Sequence, residues 1–135
     1  MLGKIHFYIG ILLIIIFLLT GQYMSHLQMS NYDSMNRALF RAGHLYILLF
    51  GLINVSLGIH FKVSEMILVK IIQVFGSIII SLASFLVIYG FLTELPTKQL
   101  ERPFTKYSLY LILLGVSIHG LIYLVELIYL VKKKN

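Results

Sequence analysis

The residues of this chain that most invite chemistry are His119 and Glu126. They stand seven apart in a long apolar run, so two helical turns put them on one face. Ionisable groups inside a membrane span are costly, and they mark ligand sites and proton paths. His119 suits a haem iron, a divalent metal ion or a proton, and Glu126 is a second candidate metal ligand. The bland assignment for His119 is a neutral imidazole hydrogen-bonded to Asn54, Ser77 or Ser81. For Glu126 it is a partly solvated carboxylate near Lys132.

A second constellation is Arg37, Arg41 and His44, at helical spacing on one face that continues through Leu48, Gly51, Val55 and Gly58. Guanidinium forks bind phosphate or carboxylate, so Arg37 and Arg41 are candidate anchors for a lipid headgroup, a haem propionate or an acidic partner. Interfacial arginines that snorkel and pair with Asp33, Glu94 or Glu101 would give the same pattern.

A b-type haem needs two axial ligands at one depth on facing helices. With each span's centre taken as the midplane, His119 lies near zero and His44 about 9 Å toward the loop carrying Asp33. By the same rise His6 lies about 13 Å to the other side. His44 and His119 are therefore a strained pair, and they are the candidate ligands; ligation by one histidine with an open position is the alternative. His6 and His60 read as interfacial, with His60 turned about 160° from His44. His26 falls in a loop.

The elements that must position these groups are four apolar segments, over about 5–24, 34–61, 65–92 and 104–131. Of the 135 residues 59% are hydrophobic and 12% charged. A water-soluble domain carries about a quarter charged residues, so most of this surface faces hydrocarbon. The expected fold is all-α, one integral membrane domain of four spans with short connections. Asp33 or Ser34 is a helix N-cap, Ser64 a candidate cap for the third segment, and Pro103 a first-turn proline before the fourth. The string Lys4 to Leu19 mimics a signal peptide, but no small-residue cleavage pattern follows, so it reads as a retained helix.

Each segment carries small or polar residues on one side. His6, Gly10, Leu13, Phe17 and Gly21 mark it in the first. Lys70, Gln73, Ser77, Ser81 and Ser84 mark it in the third, and Ser108, Ile112, Gly115, His119, Ile122 and Glu126 in the fourth. That pattern describes a bundle whose interior is more polar than its lipid face. With no cysteine, disulfides and thiolate metal sites are excluded, and with no Trp the nine tyrosines must form any aromatic belt. No phosphate-binding glycine loop, zincin motif or serine elbow is present. The net charge of +6 owes three units to Lys132–Lys134. Beside a membrane helix such a tail meets anionic lipid rather than nucleic acid. It also points to cytoplasmic termini in a bacterial-type inner membrane.

Two functions follow as expectations. In the first, the polar interior binds a haem, metal ion or proton as a redox or transport accessory. In the second, the chain is a non-catalytic subunit that docks on a membrane protein partner and holds no cofactor.

Overall fold

In a computed structural model, described over residues 2–26, 32–94 and 101–134, the chain forms four helices and is membrane-embedded. They are α1 (Leu2–His26), α2 (Ser34–His60), α3 (Ile67–Glu94) and α4 (Pro103–Lys134). All four are long and apolar enough to cross a bilayer. Side chains such as Ile67, Leu68, Tyr8 and Leu121 are largely exposed, which suits lipid and not water. His26, expected in a loop, is instead the last residue of α1.

Local chemistry sets the helix ends. Asp33 is extended and its carboxylate accepts from Asn36 N at 2.9 Å, so α2 begins where its first orphan N–H finds a partner. The turn between α2 and α3 is tied down by Gln73, whose amide accepts from Ser64 N (3.0 Å) and donates to Lys62 O (3.1 Å). Ser64 does contact Met66 N, at 3.4 Å, and α3 begins two residues later than the sequence suggested, at Ile67. Pro103 opens α4, and the cap comes from a distance: the Glu94 carboxylate accepts from Phe104 N, from Thr105 N (3.1 Å) and from the Thr105 hydroxyl (2.6 Å).

The helices pair as two antiparallel hairpins, α1 with α2 and α3 with α4, joined chiefly through α2 and α3. Small residues bring each pair close. A Cβ on Gly10 would stand 2.6 Å from Val55 N and 2.8 Å from the Gly51 carbonyl oxygen. Gly115 likewise lies on Ile80, and a Cβ there would come within 3.1 Å of the Gly76 carbonyl oxygen. In lipid, where apolar burial gives helices no advantage, such backbone approach is what holds neighbours together. The α2 face through His44, Gly51, Val55 and Gly58 packs on α1. A different stripe of α2, Phe40, Ile47, Phe50 and Asn54, is fully buried.

The interior is divided along its length. Toward the end carrying Asp33 and Pro103 its centre is apolar, with Phe40, Ile47, Phe50, Val87 and Phe91 buried together and Phe40 and Phe91 edge to face at 6.2 Å, while Thr20, Glu94 and Ser108 are buried around it. Toward the end carrying Leu2 and Phe61 it holds His6, Asn54, Gln73 and Ser77.

Candidate functional site

The site is built around Asn54, which has no exposed surface. Its Nδ2 donates to the Phe50 carbonyl and to Ser84 Oγ, both at 2.9 Å. Ser84 can accept because its own hydroxyl donates to the Ile80 carbonyl at 2.8 Å. With Nδ2 committed, Asn54 Oδ1 is left facing His6 Nδ1 at 2.8 Å. An amide oxygen only accepts, so the network assigns the proton to His6 Nδ1, and the neutral ring keeps its lone pair on Nε2. Asn54 thus fixes both the tautomer and the orientation of a ring that is only 1% exposed.

The neighbour of that ring is His119. The two imidazole centroids are 6.3 Å apart with planes nearly perpendicular, at 87°. His119 Nε2 lies 3.3 Å from Ser77 Oγ, and its ring edge rests on Gly76, where a Cβ would come within 3.2 Å. Phe61 closes the pair from the α2–α3 turn, with centroids 6.1 Å from His6 and 5.3 Å from His119. A cavity of about 240 Å³ between α1 and α3 reaches His6, Ser77 and Ser81 past Ile5, Leu82 and Phe85. It falls below the roughly 300–1,000 Å³ of ligand pockets.

The structure does not bring His44 and His119 together. The neighbour of His44 on α1 is Thr20, whose hydroxyl donates to the Phe17 carbonyl (3.0 Å) and accepts from His44 Nδ1 (2.9 Å). His44 also stacks on Phe17 with centroids 4.0 Å apart. The α1 neighbour of His119 is His6, fourteen residues before Thr20, or about 21 Å along the helix. One iron cannot take both as axial ligands. The correction extends to His6, expected at the interface but buried beside His119.

The centres of the four spans do not share one plane. α4 has 32 residues, about 48 Å of helix, so its midpoint is not that of the bundle. The glycine contacts set the stagger, and they slide His119 down to the depth of His6. A usable sign was present in the sequence. Asn54, Ser77 and Ser81 were expected at the depth of His119, and Asn54 is the acceptor that His6 needs.

Of the other candidates, Glu126 is half-buried on the same α4 face as His119. Arg37 is half-buried and Arg41 exposed, on the first two turns of α2. His60 is exposed and its Nδ1 donates to the Ser56 carbonyl at 3.0 Å. The side chains of Lys132–Lys134 lie outside the described residues. Among the described residues no three His, Asp or Glu converge as a metal site. Arg102, just before α4, went unnoticed as a site residue because its neighbours come from distant turns: burial lowers its pKa and the nearby Glu94 carboxylate raises it. Comparison with protein-family models, with curated proteins and with solved structures finds no match for this chain.

Proposed function

We propose that this protein is an accessory to a membrane redox or transport complex, and that its His6–His119 pair takes up and holds a proton inside the bundle. The observation that carries the reading is the Asn54 bond, which protonates His6 Nδ1 and leaves an Nε2 lone pair beside a second imidazole. A proton taken up on one imidazole beside another needs no further ligand. A structural zinc ion takes four, and two imidazoles with Ser77 fall short of that set. A bis-histidine haem on His44 and His119 is disfavoured by their separation.

The division of the interior supports a holding site rather than a channel. The His6–Asn54–Ser84 network borders the apolar centre of Phe40, Phe50, Val87 and Phe91, and the buried Thr20, Glu94 and Ser108 toward the other end bond to other partners. A proton would enter and leave on one side. Arg37 and Arg41 then serve as interfacial anchors for anionic lipid or an acidic partner at the other end. We place both chain termini on the cytoplasmic side of a bacterial-type inner membrane, on the strength of the lysine tail.

The test is nitrogen NMR of protein labelled at histidine, in lipid nanodiscs, across pH. Two adjacent rings that compete for one proton titrate in coupled steps, and His119→Gln leaves His6 with a single step. If neither ring titrates between about pH 4 and pH 9, the proton reading fails and the inert accessory subunit stands in its place. A visible spectrum and metal assay of the same preparation make the companion check. A Soret band or stoichiometric metal that vanishes in His119→Ala would replace the proton with that ligand.

A further inference from the structure

Between α2 and α4, at the end opposite the histidine pair, a groove of about 640 Å³ is lined by Leu39, Gly43 and Tyr46 on one side and by Arg102, Lys106 and Leu109 on the other. Its size falls within the roughly 300–1,000 Å³ of ligand pockets. Its depth is that of the headgroups, since Arg102 precedes the first residue of α4 and Lys106 lies on its first turn. Arg102 Nε and Nη2 are buried and have no hydrogen-bond partner among the described residues. These two nitrogens form one edge of the guanidinium fork, the edge that accepts a phosphate or carboxylate in two parallel bonds. An unsatisfied buried donor is costly, more so when charged. Lys106 follows four residues later, its ammonium 5.9 Å from the Tyr110 ring centroid.

Two carboxylates stand nearby. Glu101 lines the groove, and Glu94 raises the charge preference of Arg102 but gives both oxygens to the first N–H groups of α4. Neither supplies a bond to the open edge of Arg102.

We propose that this groove binds one anionic phospholipid. Its phosphate accepts from Arg102 Nε and Nη2, after a small turn of that side chain, and from Lys106. An acyl chain lies along Tyr46 and Leu109 between the helices. The proposal is independent of the histidine pair.

Native mass spectrometry of the full chain in mild detergent tests it, with phosphatidylglycerol, phosphatidylcholine and inorganic phosphate as separate probes. The wild type should retain one phosphatidylglycerol per chain in preference to phosphatidylcholine. Arg102→Gln and Lys106→Gln should each weaken that binding about tenfold, while Lys70→Gln, exposed on α3, leaves it unchanged. Lys106 is exposed, so its variant carries the test alone if Arg102→Gln does not fold. Equal retention of the two lipids overturns the proposal, as does full phosphatidylglycerol binding by Lys106→Gln. Displacement of the lipid by millimolar inorganic phosphate overturns the choice of a lipid over a soluble anion.

Discussion

Asn54→Ala tests the interior network most directly. The side chain makes two bonds to other helices, with His6 at 2.8 Å and Ser84 at 2.9 Å, and a third to its own helix at Phe50. Hydrogen bonds between membrane helices average about 0.6 kcal/mol and reach about 1.7. The two interhelical bonds are therefore worth about 1–3 kcal/mol, since the Phe50 carbonyl also lies within the α2 helix. The vacated volume adds about 1 kcal/mol, for a total of about 2–4 kcal/mol. Ser84 keeps its bond to Ile80, so only the His6 Nδ1–H is stranded. An imidazole has an escape, which is to move the proton to Nε2. Unfolding in detergent should show the loss, and nitrogen NMR should show His6 switching from the Nδ1–H to the Nε2–H form. The reasoning is refuted if His6 keeps its tautomer, or if stability falls by less than about 0.5 kcal/mol, the level of an ordinary surface substitution.

Three further outcomes follow from the same contacts. Gly10→Leu should force α1 from α2, because the obstructing atoms are the backbone of Val55 and Gly51; a loss of about 1–3 kcal/mol and a longer α1–α2 distance by spin labelling would check it. Thr20→Val removes the acceptor of His44 Nδ1 but keeps the Phe17 stack, so it should cost about 1 kcal/mol, read by thermal melting, and leave the titration of His6 and His119 unchanged. Glu94→Ala exposes the first N–H groups of α4 and should cost about 1–2 kcal/mol, with faster amide exchange at Phe104 and Thr105 than at Ser108.

How much was legible before any coordinates depended on whether the cause was local. Asp33 caps the helix that it precedes, and the bond to Asn36 spans three residues. The α4 face through Ser108, Ile112 and Gly115 is buried as its spacing predicts, because helical period alone decides which residues share a side. His119 meets Ser77, one of the three partners that its depth suggested. The Glu94 cap was not legible, since the residues between Glu94 and Phe104 say nothing of how the chain returns. Glu94 was expected only as a partner for arginine.

The hydropathy runs by themselves determined four helices in lipid, because a backbone in hydrocarbon must satisfy its own hydrogen bonds and leave apolar side chains outside. Helical spacing also marked the inward sides of α1 and α4, but in α2 it marked the face on α1 and not the fully buried stripe of Phe40, Ile47, Phe50 and Asn54. Only the tertiary structure decided the sliding of one helix along another. That offset is set where Gly10 meets Gly51 and Gly115 meets Gly76, by steric contacts between residues far apart in the chain. A shift of one turn is about 5.4 Å, enough to exchange one histidine partner for another, and so the meeting of His6 with His119 belongs to the packing alone.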